Sequence, residues 1–316
     1  MSCGQKTSSE AWFERGYNLQ NRGEYEKALK AYDKALEENP MCFAAWSNKG
    51  YIFNLMRKHE HAIVAYNRAI EINPGDYWVW VGNAAACSEL GQLNDAIKSL
   101  NKAIEINPGN IAAWHLKGIA FENYGEFEKA LQSFDQVIAM DPSFSAAWCI
   151  KGSIYKELME YDKSEKAYKE VLKIEPIDYR QWYIKGRALY DLGFYGDALE
   201  AYDKALQLNP SASEAKLGKA WILSACPQEK YRNGTDALKI LQEFVGSKRN
   251  IYVELAAAYA EVGDFKKAIH NQEKAIAFLK DHGKEKAVQR KNLEKDLGGY
   301  KKGLPYRDEP VNLRNN

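Results

Sequence analysis

The sequence lacks any long hydrophobic run and carries almost no net charge. No window of its 316 residues approaches the roughly 18 consecutive apolar residues that a membrane-spanning helix needs. The N-terminus has no basic segment followed by an apolar stretch, so we expect no secretory signal. The 44 lysines and arginines nearly balance the 43 aspartates and glutamates. We therefore expect no membrane partner and no general attraction to nucleic acid.

Cysteine is also scarce. The five cysteines are odd in number, widely spaced and never in a Cys-x-x-Cys pair. This pattern argues against a disulfide framework or a structural zinc site, and it fits the reducing environment of the cytoplasm. Cys87 occupies an apolar helix position and is predicted to be core, whereas Cys149 is expected on the inner side of a helix.

Sequence motifs for catalysis or cofactor binding are missing as well. The chain has no GxGxxG, no GxxxxGK[ST] and no GxSxG. The segment His59-Glu60-His61 superficially resembles a metal site, but histidines two apart on a helix point to different faces. We therefore predict no enzyme activity, no metal site and no cofactor.

What the sequence does contain is a strict period of 34 residues. Proline recurs at this spacing from Pro40 to Pro210, and glycine recurs from Gly16 to Gly186 with Ala84 as the one substitution. Tryptophan follows the same register, at Trp12, Trp46, Trp80, Trp114, Trp148 and Trp182. Such a period is the signature of a repeat architecture.

Each repeat predicts two helices joined by a turn. In residues 9–42 the apolar spacing places a first helix over about Glu10–Asn21 and a second over Tyr25–Glu38. Small residues at Gly16 and Ala28 let the two backbones approach closely. Pro40 lacks an N–H group and therefore ends the second helix.

These residues resemble the tetratricopeptide repeat family. WSNKG at 46–50 and WHLKG at 114–118 are similar to the WxxKG variant common in its prokaryotic members. The resemblance implies an all-α, right-handed helical-repeat solenoid, an α-α superhelix, of about eight repeats. The repeats are predicted over residues 9–42, 43–76, 77–110, 111–144, 145–178 and 179–212, with two irregular ones at 213–248 and 249–282.

The chain ends are predicted to lie outside the repeats. We expect a flexible N-terminus at 1–8, a solenoid at 9–282, a capping helix at 283–302 and an extended tail at 303–316. A repeat array needs a terminal element that covers its last apolar face. The alternative for the last helix is docking of an acidic partner, because residues 213–316 hold 20 lysines and arginines against 14 aspartates and glutamates.

The resemblance also implies where a ligand binds. In the family, positions 2, 5, 6, 9, 12 and 13 of each repeat project from the first helices into a concave groove. The lysine and asparagine that clamp chaperone C-terminal carboxylates in some members are missing here, so we do not expect that ligand. The candidate groove residues are Phe13, Tyr17, Asn48, Tyr51, Trp78, Val81, His115, Ile119, Tyr183, Arg187 and Tyr190.

Two interpretations of these residues stay open at this stage. The aromatic side chains either hold a ligand or pack between helices. The favoured function is a non-catalytic protein-protein interaction scaffold or adaptor that grips a peptide or helix through apolar contacts. Nucleic-acid binding and a role as a non-catalytic subunit of an enzyme complex are the alternatives. Under the favoured function, Trp78→Ala and Tyr183→Ala should weaken partner binding without unfolding the chain.

Overall fold

The computed structural model describes residues 7–247, 250–280 and 287–307. Within these residues the chain forms 17 α-helices, one short 3-10 helix and no strand, so the predicted all-α repeat fold is confirmed. The chain divides into two compact units, Met1–Asp141 and Pro142–Asn316, here called unit 1 and unit 2.

Unit 1 consists of four helical hairpins. Its helices are α1 Ser8–Asn21, α2 Tyr25–Glu38, α3 Phe43–Leu55, α4 His59–Ile72, α5 Tyr77–Glu89, α6 Leu93–Ile106, α7 Ile111–Asn123 and α8 Phe127–Met140. Within each repeat the first helix packs against the second, and α2, α4 and α6 also contact the first helix of the next repeat. The side chain of Thr7 caps α1 together with Glu10, an arrangement that satisfies two of the unpaired backbone N–H groups at the helix start.

Unit 2 continues the same alternation and then becomes irregular. Its α-helices are α9 Ser145–Glu157, α10 Tyr161–Lys173, α11 Tyr179–Asp191, α12 Tyr195–Leu208, α13 Ser213–Ala225, α14 Gly234–Gln242, α15 Tyr252–Glu261, α16 Phe265–Lys280 and α17 Ala287–Tyr300. A 3-10 helix at Glu229–Tyr231 lies in the lengthened connection between α13 and α14. Phe244, which the apolar spacing assigned to the second helix of this repeat, follows the end of α14 and still packs against its core.

In the second to fifth repeats the recurring tryptophan forms a hydrogen bond to the proline that precedes its helix. The indole Nε1 of Trp46 donates a hydrogen bond of 2.9 Å to the carbonyl oxygen of Pro40. The same bond recurs from Trp80 to Pro74, from Trp114 to Pro108 and from Trp148 to Pro142. The carbonyl oxygen of the proline thus anchors the first turn of the helix that follows it.

In five of the repeats, a glycine at position 8 makes room for an aromatic ring of the second helix. A Cβ atom on Gly16 would lie 2.7 Å from ring carbons of Tyr32, which is fully buried. The equivalent pairs are Gly50 with Tyr66, Gly118 with Phe134, Gly152 with Tyr168 and Gly186 with Tyr202. The ring therefore replaces the missing side chain, and the two helices share one close-packed contact.

The turn between the two helices uses a left-handed backbone conformation. Gly23 has φ of +75°, and Gly91, Gly125 and Gly193, which lie two, three and five repeat lengths further on, have φ of +70°, +73° and +84°. In the second and fifth repeats the position is held by Arg57 at +56° and Met159 at +59°. An L-residue in this conformation brings its Cβ too close to a carbonyl oxygen, so both turns carry backbone strain.

Candidate functional site

The first helices of successive repeats form a continuous surface in each unit. In unit 1, α1 contacts α3, α3 contacts α5 and α5 contacts α7. In unit 2, α9 contacts α11, α11 contacts α13 and α13 contacts α15. We call each of these the first-helix surface of its unit, and the predicted site residues lie on the helices that form them.

Unit 1 exposes three of the predicted aromatic residues on its first-helix surface. Tyr17 is 48% exposed, Tyr51 is 49% exposed and Trp78 is 59% exposed. Tyr17 and Tyr51 occupy position 9 of adjacent repeats, and Trp78 occupies position 2 of the third. Large aromatic side chains exposed on neighbouring helices provide apolar contact area for a partner.

The predicted aromatic side chains at position 5 pack inside the repeats instead. The ring of Phe13 lies 5.7 Å from that of Tyr32, and His115 lies 5.8 Å from Phe134 in an edge arrangement. Val81, also at position 5, is 8% exposed and belongs to the core cluster around α5 and α6. These side chains support the surface and offer a ligand little area.

The two remaining predicted residues of unit 1 are intermediate. Asn48 on α3 and Ile119 on α7 are both half-buried. Burial lowers the pKa of His115. The imidazole is therefore held in its neutral form within the repeat.

A small polar recess of about 230 Å³ lies at one end of helices α3 and α5. Asn54 donates a hydrogen bond of 3.0 Å to the carbonyl oxygen of Gly82, and Arg57 pairs with Glu89 at 2.9 Å. His59 has its Nδ1 3.4 Å from the Asn54 amide oxygen and its Nε2 3.8 Å from Glu89. His61, by contrast, lies against Phe53, so the two histidines of His59-Glu60-His61 have different neighbours.

Unit 2 gathers its three predicted site residues around one recess of about 490 Å³. Tyr183, Arg187 and Tyr190 of α11 line it together with Leu217 and Trp221 of α13. Tyr183 occupies position 5 and stacks on Tyr202 of the second helix with ring centroids 6.0 Å apart. Tyr183→Ala would therefore remove core contacts as well as surface, whereas Trp78→Ala in unit 1 removes mainly exposed area.

Polar contacts fix the shape of this recess. Arg187 donates a hydrogen bond of 2.8 Å to the hydroxyl of Ser153, which lies one repeat length earlier on α9. The indole Nε1 of Trp221 donates to the hydroxyl of Tyr190 at 2.8 Å. Side chains that are held in this way lose less conformational entropy when a ligand binds.

Three carboxylates surround the recess and offset its two cations. Asp191 forms an ion pair with Lys156, and Glu214 and Glu254 complete the lining. The thiol of Cys149 and the nearby tyrosines and Asp191 raise the pKa of Arg187 above its usual range, so this guanidinium stays charged. The recess thus combines aromatic walls with a mixed, slightly acidic set of charges.

Sequence reasoning missed the charged part of this recess. Lys156, Asp191 and Glu254 look like ordinary solvated helix residues when one repeat is read at a time. Arg187 and Ser153 are separated by 34 residues, and Lys156 and Asp191 by 35. Aligning consecutive repeats would have placed Ser153 and Arg187 at the same position, and Lys156 and Asp191 one position apart, on adjacent helices.

Three of the cysteines, Cys87, Cys149 and Cys226, are buried. Burial raises the pKa of the Cys87 thiol to about 11 and also raises that of Cys226. Among the described residues, no group of three or more His, Cys, Asp or Glu side chains is arranged to hold a metal ion. In the same part of the chain, every helix is too short or too polar to cross a membrane.

Comparison with known proteins agrees with this architecture. Comparison with curated protein sequences gave no match. A tetratricopeptide repeat protein from Parabacteroides merdae superposes with a TM-score of 0.58 at 18% identity, covering 92% of this chain and 98% of that one. PilW, described as a widely conserved type IV pilus biogenesis factor, has a TM-score of 0.53 at 17% identity, covering 67% of this chain and 98% of its own. At these identities both likenesses concern the fold alone.

Sequence models of one family match most of the chain. Models described as tetratricopeptide repeat match residues 13–77, 55–119 and 179–212, and a further one matches 111–144, 145–178 and 250–282. Residues 213–249 lie outside these matches, which agrees with the irregular helices α13 and α14. The chain belongs to the tetratricopeptide repeat family.

Proposed function

We propose that this protein is a non-catalytic scaffold that binds a peptide or helix of another protein on its first-helix surfaces. The observation that carries the proposal is the exposure of Tyr17, Tyr51 and Trp78 on the first-helix surface of unit 1. Position 5 of the same helices is used for packing, so the exposed rings are not required by the fold. Exposed aromatic side chains on a rigid scaffold are the residues that most often anchor a protein partner.

The recess of unit 2 supports the same function. Its aromatic and apolar side chains, Tyr190, Leu217 and Trp221, supply contact area, and its charged groups supply orientation. Most ligand sites combine predominantly apolar walls with a few fixed polar groups. We therefore propose that both units contribute contacts, each through its own first-helix surface.

A protein ligand fits this surface better than a nucleic acid. Asp191, Glu214 and Glu254 line the recess of unit 2 beside Lys156 and Arg187. Phosphate groups of a nucleic-acid backbone require a predominantly positive surface, and their affinity falls steeply with salt. Carboxylates at this position would repel phosphates, whereas a peptide with basic and apolar residues meets complementary groups.

The proposal is tested by selecting binding peptides from a random display library and measuring their affinity by fluorescence anisotropy. Trp78→Ala and, separately, Trp221→Ala should weaken binding of peptides that use the respective unit by about tenfold or more, equivalent to about 1.4 kcal/mol. Phe194→Ala is the matched control, because Phe194 is 50% exposed but lies in the turn before α12.

The selected affinities should also change little when sodium chloride is raised from about 0.05 M to about 0.5 M, since apolar contacts are hardly screened. The proposal is wrong if no peptide is selected, or if the Phe194 control weakens binding as much as both tryptophan variants do. Circular dichroism of each variant checks that its helices are retained.

A further inference from the structure

The segment that follows the last helix turns back onto the first-helix surface of unit 2. The ring of Tyr306 lies 5.8 Å from that of Trp221 on α13. Arg307 forms an ion pair of 2.7 Å with Glu261, the last residue of α15. The sequence predicted an extended tail with little to bury, but these two side chains make specific contacts with two different helices.

The reversal depends on a tight turn after α17. Tyr300, at the end of that helix, is buried against Ala256, Ala260 and Ala268. Gly303 then adopts φ of +72°, and the amide of Leu304 donates to the carbonyl oxygen of Gly299 at 3.0 Å. The turn directs the following residues back toward α13 and α15, which explains why the tail does not continue away from unit 2.

Residues 304–307 are held by side chains rather than by secondary structure. They form neither helix nor strand, and the side chain of Leu304 is largely exposed. Tyr306 rests on an aromatic platform, and Arg307 reaches a carboxylate. This is how an extended peptide binds a helical surface, with one aromatic anchor and one charge-assisted hydrogen bond.

We propose that the surface between Trp221 and Glu261 is a binding site for an extended partner segment in which an aromatic residue directly precedes an arginine. Residues 303–307 occupy this site in the isolated chain and compete with the partner. The inference rests on the proposed scaffold function and names the chemistry of one of its ligands.

The site is built to remain intact when the tail leaves. Glu261 is 16% exposed in its side chain and also pairs with Arg232, at 3.0 Å. Arg232 is fixed in the lengthened connection by hydrogen bonds to the carbonyl oxygens of Cys226 and Pro227. Because Arg232 continues to neutralise Glu261, release of Arg307 does not leave a buried charge without a partner.

The aromatic half of the site is equally independent of the tail. Trp221 is oriented by its hydrogen bond to the hydroxyl of Tyr190, on α11. Trp221 also lines the recess that contains Arg187 and Leu217. A partner segment that replaces Tyr306 on Trp221 can therefore extend into this recess, which the tail itself does not fill.

Competition can be measured with a labelled peptide of the chain's own residues 303–316 and the full-length protein. In the full-length variant Tyr306→Ala/Arg307→Glu, the internal competitor is disabled and the peptide should bind. Wild-type protein should bind the same peptide at least about tenfold more weakly, because a tethered competitor acts at an effective concentration in the millimolar range. Anisotropy of the label reports binding in both cases.

Three controls make the result specific to this site. A peptide with alanine at the tyrosine and glutamate at the arginine should not bind the opened variant. Trp221→Ala, introduced into the opened variant, should weaken the unaltered peptide about tenfold or more. The single variant Arg307→Glu, which keeps the Tyr306 contact, should give an affinity between those of the wild type and the double variant.

The proposal would be overturned if the peptide bound the wild type, the single variant and the double variant with equal affinity. It would also be overturned if the peptide bound neither variant while circular dichroism showed that both are folded. Neither result would affect binding of library peptides that depend on Trp78 in unit 1. Failure of this inference is therefore distinguishable from failure of the scaffold function.

Discussion

Replacing Gly118 by alanine should destabilise unit 1, and replacing Phe134 by leucine in the same chain should remove most of that effect. A Cβ atom on Gly118 would lie 2.7 Å and 2.8 Å from two ring carbons of Phe134, which is fully buried. Carbon atoms need about 3.5–4.0 Å of separation, so α7 and α8 would have to move apart by nearly 1 Å.

The size of each effect follows from this geometry. Overfilling a close-packed core costs about 1–3 kcal/mol. Alanine in place of a helical glycine returns about 1 kcal/mol through its greater helix propensity. Gly118→Ala should therefore lower the free energy of unfolding by up to about 2 kcal/mol, and Phe134→Leu alone should lower it by about 1 kcal/mol through lost contacts.

The double variant should be close to the wild type, because leucine leaves space for the new methyl group. The third repeat already contains this combination: Ala84 and Leu100 stand where the fourth has Gly118 and Phe134, and both are fully buried. The expected coupling free energy is about 1–3 kcal/mol in favour of the double variant.

The coupling is measured on the wild type, the two single variants and the double variant. Urea denaturation followed by far-ultraviolet circular dichroism gives the free energy of unfolding of each protein and its dependence on urea concentration. Gly125→Ala is the control, because a Cβ atom there would meet nothing within 4 Å and its φ is +73°. It should destabilise through backbone strain alone and add independently to Phe134→Leu. Additive effects of Gly118→Ala and Phe134→Leu would refute the assignment of this contact.

Four further outcomes are expected. Met159→Gly should raise the melting temperature, because Met159 is largely exposed and its left-handed backbone conformation carries strain of about 1–2 kcal/mol. Glycine removes this strain and costs a smaller amount of conformational entropy. An unchanged or lower melting temperature would contradict this expectation. Burial lowers the folded-state pKa of His115, so the stability that depends on its neutral form is complete above the unfolded pKa of about 6.5 and is lost as the pH falls. Between about pH 7.5 and 5.5, the His115→Gln variant should therefore lose less stability than the wild type. Equal losses would argue against burial as the cause. Cys42, which is half-buried, should react with a thiol reagent faster than Cys87, whose pKa is raised to about 11. Mass spectrometry of labelled peptides measures the two rates, and faster labelling of Cys87 would contradict this expectation. Deleting residues 284–316 should lower the melting temperature and promote self-association, because Tyr300 covers Ala256, Ala260 and Ala268; a monomer of unchanged stability would show that α17 is not a cap.

The helices were predictable because the same few contacts recur every 34 residues. The second helix of the first repeat was predicted at Tyr25–Glu38 and begins and ends at those residues, whereas its first helix starts two residues earlier than Glu10. Proline, tryptophan and glycine are rare enough that their register fixes the helix ends. The connection after α13 breaks that register, and its 3-10 helix had no counterpart in the earlier repeats.

The candidate site was only partly predictable, because equivalent positions in different repeats have different neighbours. At position 9 the side chains of Tyr17 and Tyr51 are exposed. The side chain of Arg187, at the same position of its own repeat, is half-buried and donates a hydrogen bond to Ser153. A repeat pattern specifies which face a residue lies on. It does not specify whether an adjacent helix provides a partner there, since that depends on a residue 34 positions away. Contacts of the tail, such as Arg307 with Glu261, join a repeat to a segment that lies outside the repeats, so the repeat pattern does not predict them.

Different residues of each repeat hold the helices together and form the exposed first-helix surface. The ring of Tyr66 lies against Gly50 of its own repeat and Gly82 of the next, and Tyr202 is placed in the same way between Gly186 and Gly218. One buried ring thus joins three helices, and it does so without the exposed side chains of Tyr51 and Trp78. Substitutions at Trp78 or Tyr51 then change the apolar area offered to a partner at little cost in stability, whereas a substitution at Tyr66 would affect two repeats together.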